Sequence, residues 1–209
     1  MRVGSAAKSP VSTLASRIRD FFPTEMSFVI RTSREYDPLM PTRATVLILT
    51  MFSIFAPKAQ AIETGSAAPL VTATDQDGKP VKFADVYARG TTLVYFYPKA
   101  GTPGCTAQAC SLRDAFASLH GKNLQILGVS RDTPEAQKKF QEKNRIPFTL
   151  IADTDGVVAK AFGVPGFMGL PVSSRQSFII KDGKVVWASL HARTGDHAAE
   201  VQAALDSLK

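Results

Sequence analysis

The sequence predicts an α/β domain, a central sheet with helices on both faces. Three observations carry this. Runs rich in β-branched and aromatic residues recur at 91–98, 123–130 and 148–153, each with the composition of a buried strand. Segments of helical period separate them. A hairpin signal and a last helical segment then close the chain. The domain so defined runs from 62 to 209, long enough to bury a core without disulfide staples.

The elements follow in order. "LVTATDQDGKPVKFADV" (70–86) places two short extended stretches around a polar turn, where Asp77-Gly78 supplies the hairpin step. "TTLVYFYP" (91–98) is the central strand. "CSLRDAFASLH" (110–120) sets Leu112, Phe116 and Leu119 on one helical face. "NLQILGVS" (123–130) is a second buried strand. "DTPEAQKKFQEKN" (132–144) is a mostly polar helix opened by an Asp-Thr-Pro start. "FTLIAD" (148–153) is a third strand and "GVVAKAFGV" (156–164) a short helix. "SFIIKDGKVVWASL" (177–190) is a hairpin turning at Asp182-Gly183, and "HAAEVQAALDSLK" (197–209) is the closing helix.

The first 61 residues read differently, as an N-terminal extension ending in a signal peptide at 40–61. Arg43 gives a short positive region, Ala44 to Ala56 an apolar run, and Ala59-Gln60-Ala61 a small-residue cleavage site. The apolar run falls well short of the ~20 residues a membrane-spanning helix needs. The expectation is export, to a periplasm or an organelle lumen, with no stable membrane association after cleavage. Residues 1–39 fit sequence upstream of a true start at Met40, an overlong n-region of the signal, or a transit segment ahead of a lumenal signal.

Charge argues against nucleic acid as a partner. The whole chain carries +7, but residues 62–209 hold seventeen Lys/Arg against fourteen Asp/Glu, mixed in sequence. No basic block interleaved with aromatics stands among them.

The only two cysteines lie in "KAGTPGCTAQAC" (99–110), five positions apart. Structural zinc needs four Cys/His ligands at close spacings, and His120, His191 and His197 make no such set with them; all three read as solvated surface residues. A permanent disulfide meets a geometric obstacle. Within one helix, five residues separate the Cα atoms by about 8.7 Å, beyond the ~7 Å a disulfide spans. Such a bond forms only if the helix start unwinds, which suits a redox pair better than a staple. Cys105 follows Gly104 at the expected first helical turn, where free N–H groups and the dipole favour a thiolate. Thr102 either caps this helix or offers its hydroxyl to a substrate oxygen or the sulfur. Pro98 and Pro103 fix the loop's approach.

"YPKAGTPGCTAQACSLRD" resembles the peroxiredoxins, in particular the Q-type or bacterioferritin-comigratory-protein group of the AhpC/TSA superfamily. Pro98, Thr102 and Cys105 match the family's Pro-x-x-x-Thr-x-x-Cys, and Cys110 matches the subgroup's second cysteine. Arg175, in "SRQSFIIKDGKV", matches the family's distant arginine; its alternative role is a surface ion pair. The resemblance implies a thioredoxin-like fold with a central mixed sheet, and a thiol peroxidase acting on hydrogen peroxide and organic hydroperoxides. Cys105 would attack the peroxide, Thr102 and Arg175 would hold its oxygens, and Cys110 would close an intramolecular disulfide. Thioredoxin or a thioredoxin-like protein would reopen that disulfide. No cofactor is implied, and a monomer is the subgroup expectation. An exported thiol-disulfide oxidoreductase lacks its Cys-x-x-Cys here, and a copper-binding thioredoxin-like protein lacks its Cys-x-x-x-Cys-Pro. The apolar stretch Phe167-Met168-Gly169-Leu170 either lines the peroxide entrance or packs on the core, and the general burial of apolar residues favours the core.

Overall fold

The computed structural model describes residues 62–208. The signal-peptide segment lies outside the described residues. Among the described residues nine strands form, β1 (Thr72–Asp75), β2 (Pro80–Lys82), β3 (Thr91–Phe96), β4 (Leu124–Ser130), β5 (Thr149–Ala152), β6 (Gly166–Phe167), β7 (Leu170–Ser173), β8 (Ser177–Lys181) and β9 (Lys184–Ser189). The helices are α1 (Phe83–Tyr87), α2 (Pro103–Asp114), α3 (Phe116–His120), α4 (Pro134–Asn144), α5 (Val157–Ala161) and α6 (His197–Ser207).

Seven strands join one sheet in the order β2-β1-β5-β4-β3-β8-β9. The β3–β4 and β4–β5 pairs are parallel, while β3–β8, β8–β9, β1–β5 and β1–β2 are antiparallel, so the sheet is mixed. The interior strand β3 shows why both faces are covered. Successive side chains alternate sides, and both sets are apolar. Leu93, Tyr95 and Tyr97 enter a core under α2, α3, α4 and α6. Val94 and Phe96 enter a second core with Phe83 and Val86 of α1 and Val158 of α5.

Gly128 in β4 makes one of these contacts possible. A Cβ there would come within 2.7 Å of the Tyr95 ring and 2.8 Å of Leu150. Tyr95 in turn stacks on Tyr97, ring centroids 5.5 Å apart. The β8–β9 turn needs positive φ at both central residues, and Asp182 (52°) and Gly183 (71°) provide it.

Four details depart from the sequence reading. The helix expected to begin near Cys105 and run to 120 is two helices: α2 starts at Pro103 and breaks at Ala115 (φ −91°, ψ 1°) before α3. Residues 83–87 form a short helix where an extended tail was expected. The apolar stretch 167–170 does not pack on the core. It forms the small β6–β7 hairpin, with Phe167, Met168 and Leu170 exposed. Its short strands stand outside the seven-stranded sheet, so neither core reaches it. His197, read as a surface residue, is fully buried, because α6 packs its first turn against α2 and the sheet.

Candidate active site

Strand β3 ends at Phe96, and the chain leaves the sheet through Pro98 and Gly101 toward α2. Gly101 has a φ of 79°, which a side chain would resist. Thr102 stands at the N-cap in extended geometry, and Pro103 follows at the first helical position, where its missing N–H costs nothing. The first helical bond runs from the Thr106 amide to the Thr102 carbonyl (2.8 Å). Cys105 is the third residue of the helix, within the first turn, whose amides have no helical partner.

The register of β8 brings in the arginine. Ser177 pairs with Tyr95, and the Phe96 amide donates to the Gln176 carbonyl (2.7 Å). Arg175 therefore lies beside the point where the chain leaves β3. Its Nη2 donates to the Cys105 sulfur at 3.3 Å. The same nitrogen would lie 3.5 Å from a Cβ on Gly104, so the guanidinium rests against the first turn of α2. Cys105 is 1% exposed, whereas Cys110 is half-buried, and both thiols are free.

Of the residues singled out in sequence, Cys105 and Arg175 are in contact. Thr102 does not cap α2 with its side chain; its hydroxyl donates to the Lys99 carbonyl (3.0 Å). Donating there leaves the oxygen's lone pairs available. Pro98 is half-buried at the base of the loop. Cys110 lies on the same helix, so the two sulfurs meet only if α2 unwinds at its start.

Two buried polar chains flank the site, and sequence reasoning found neither. On the β8 side, Arg175 Nη1 donates to Gln108 Oε1. Gln108 Nε2 donates to His197 Nδ1 (3.1 Å), and His197 Nε2 donates to Ser177 Oγ (2.9 Å). Burial, with a smaller push from Arg175, holds the His197 pKa down to about 4, so the ring is neutral at pH 7. On the β4 side, the Tyr97 hydroxyl donates to Gln137 Oε1. Gln137 Nε2 donates to Ser130 Oγ (2.8 Å), and Ser130 donates to Asp132 Oδ2 (2.7 Å). That carboxylate oxygen also accepts from the Ala100 amide (2.7 Å), which pins the loop. Burial pushes the Tyr97 phenol far up, so it stays a donor. A partial signal for Gln108 existed, since it stands three residues after Cys105 and shares its helical face.

A buried cysteine at a helix start, with an arginine on its sulfur and a second free thiol on the same helix, is the arrangement of a redox-thiol centre on a thioredoxin-like sheet. Comparison with known proteins gives the particular group. The AhpC/TSA family profile matches residues 64–188. Peroxiredoxin Bcp of Escherichia coli (strain K12) is 42% identical over 142 residues, 65% of this chain and 90% of that protein. Among solved structures, peroxidoxin BcpB of Mycobacterium tuberculosis is 33% identical with a TM-score of 0.66, covering 71% of this chain and 99% of that one. The bacterioferritin comigratory protein of Xanthomonas campestris, described for its alkyl peroxide reduction activity, is 26% identical with a TM-score of 0.63, over 68% of this chain and 99% of its own. The chain belongs to the AhpC/TSA family, in the Bcp/Q branch of the peroxiredoxins, and is a thiol peroxidase.

Proposed function

We propose that the protein reduces hydrogen peroxide and organic hydroperoxides by a two-cysteine cycle, with Cys105 attacking and Cys110 resolving. The observation that carries this is the 3.3 Å contact from Arg175 Nη2 to the Cys105 sulfur. A guanidinium there compensates the charge moving off sulfur onto the peroxide as the O–O bond breaks. The thiolate takes the terminal oxygen to become a sulfenic acid, and the other oxygen leaves as water or an alcohol after taking a proton. Thr102 holds a peroxide oxygen with its hydroxyl group, and Pro98 shapes the loop that screens the sulfur. Burial of Cys105 suits a reactant whose reacting end is one oxygen atom.

Resolution follows when α2 unwinds at its start. The Cys110 sulfur attacks the Cys105 sulfenic sulfur, a disulfide forms and water leaves. A thioredoxin-like protein then supplies two electrons to reopen it. The exposed Phe167, Met168 and Leu170 lie on the hairpin that leads into Arg175. An apolar surface there offers a place for the tail of an organic hydroperoxide, in keeping with the alkyl peroxide activity described for the Xanthomonas relative. We further propose that the 62–209 domain acts after export as a monomer. Support comes from Arg43, the apolar run and Ala59-Gln60-Ala61. Intact mass of the protein purified from its own cells tests export, since cleavage gives a chain starting near Ile62.

The test of the cycle is a single turnover of the reduced chain with one equivalent of hydrogen peroxide, read by intact mass. The native chain loses two hydrogens, Cys110→Ser gains one oxygen, and Cys105→Ser does not react. Equal, slow reaction of all three overturns the proposal.

A further inference from the structure

His197 is fully buried, and nothing in the two-cysteine cycle calls on it. It opens α6, 89 residues from the Gln108 it touches. Its ring also meets the Tyr95 ring at 5.7 Å, so it is fixed by aromatic contact as well as by its two hydrogen bonds. The neutral ring has one acceptor nitrogen and one donor, and the surroundings decide which is which. Arg175 is donor only, so Gln108 must turn its oxygen to the guanidinium. Its NH2 then faces His197 Nδ1, which must accept, and the ring proton sits on Nε2 toward Ser177. Flipping the amide would set donor against donor at Arg175. The chain therefore has one self-consistent arrangement from Cys105 to β8.

Gln108 belongs to α2, the helix whose start has to unwind before Cys105 and Cys110 can meet. His197 belongs to α6, which is clasped to α2 a second time by the Ala198 amide on Ser111 Oγ (3.0 Å). The Gln108–His197 bond is thus made in the wound state, and because Gln108 lies between Cys105 and Cys110, unwinding that brings the two sulfurs together would break it.

We propose that His197 is a positioning residue for both steps: by accepting from Gln108 it seats Arg175 on the Cys105 sulfur, and by the same bond it holds α2 wound against disulfide formation. The inference rests on the roles given above to Cys105 and Cys110. It predicts effects of opposite sign on two consecutive rates, which general loosening of the structure does not produce.

The experiment is stopped-flow mixing of the reduced full chain with hydrogen peroxide, resolving Cys105 oxidation and then disulfide formation, with quenched samples checked by mass. The variants are His197→Phe, His197→Asn and His197→Gln. Asn can set its oxygen where Nδ1 stood and accept from Gln108, whereas Gln reaches the Nε2 position instead. In His197→Phe the peroxide step falls about ten- to a hundredfold, as for a misplaced reacting group. The disulfide step accelerates about threefold or more, the size of one lost net hydrogen bond. His197→Asn moves both rates back toward native values, and His197→Gln does not. If the Phe variant does not fold, the Asn and Gln variants decide the matter between them. Unchanged rates, both steps slowing together, or Asn no closer to native than Gln overturn the inference. A native chain that oxidises Cys105 no faster than a free thiol would instead overturn the two-cysteine cycle itself.

Discussion

On one side of Cys105, Arg175, Gln108, His197 and Ser177 form a chain of hydrogen bonds that starts at the sulfur and ends in β8. On the other side, Tyr97, Gln137, Ser130 and Asp132 form a chain that ends on the Ala100 amide, in the loop ahead of the sulfur. Both are buried at their middle and half-buried at the end nearest the sulfur, and both join a strand to a helix. They differ in which helix carries the middle member. Gln108 rides on α2, which must unwind for the two thiols to join, whereas Gln137 rides on α4, which carries neither thiol. In the proposed cycle the first chain is therefore a contact remade in every turnover. The second is framing that ties the loop to β4 and α4, and in the same cycle it stays in place.

Changes at Arg175, which touches the sulfur, should act on rate, and changes to the framing chain on stability. The largest expected effect is at Arg175. Arg175→Met lowers the rate of peroxide reduction about 10²- to 10³-fold, the usual loss when one donor to developing charge is removed. Arg175→Lys recovers only part of it, because one ammonium cannot serve the sulfur and Gln108 as the two guanidinium nitrogens do. Both follow from the rate constant for hydrogen peroxide under single-turnover conditions.

Next in size is a pH effect on stability from the same chain. Burial pushes the His197 pKa down to about 4 from an unfolded value of 6.5, while the Glu200 charge opposes the shift and Arg175 adds to it. The unfolded chain then binds the extra proton first. The contribution of neutral His197 is complete above pH 6.5 and is lost as pH falls toward 4, by roughly 3 kcal/mol in all. Other groups titrate in that window, so the measurement is the difference in denaturant stability between the native chain and His197→Asn from pH 7 to 4. Equal pH slopes would contradict a buried neutral ring.

The framing chain should show the converse. Asp132→Ala leaves the Ala100 amide and the Ser130 hydroxyl without their acceptor, costing about 1–3 kcal/mol in a thermal or denaturant melt. Its peroxide rate at temperatures where it stays folded should change far less than that of Arg175→Met. The smallest effect is at Tyr95, whose buried hydroxyl has no hydrogen-bond partner among the described residues. Tyr95→Phe keeps the ring contacts with Tyr97 and His197 and should leave stability within about 1 kcal/mol, or raise it.

Much of this was legible in the sequence, and for identifiable reasons. Strands β3, β4 and β5 are continuous apolar runs because both their faces are buried. Asp182-Gly183 marks its hairpin because few residues tolerate positive φ. Cys105, Cys110 and Thr102 could be read together because one helix and its cap hold all three. Arg175 was found only by resemblance, since no local rule links it to a cysteine 70 residues earlier. Gln108 and His197 escaped for the same reason: a glutamine on a helix and a histidine at a helix start read as surface until the tertiary fold brings them together. The exposed hairpin at Phe167 to Leu170 was misjudged because burial preference says where apolar residues usually go, not where a two-residue strand can carry them.

The central claim is that Arg175 acts on the peroxide as its bond breaks, and not merely on the cysteine at rest. The most direct test compares two reactions of the same sulfur, with hydrogen peroxide and with iodoacetamide, in the native chain and in Arg175→Met. Iodoacetamide reports access to Cys105 and its readiness to react, but presents no O–O bond. The expected result is a peroxide rate constant that falls at least about tenfold further than the alkylation rate constant. Equal falls in both would contradict it, leaving Arg175 as a partner of the thiolate alone.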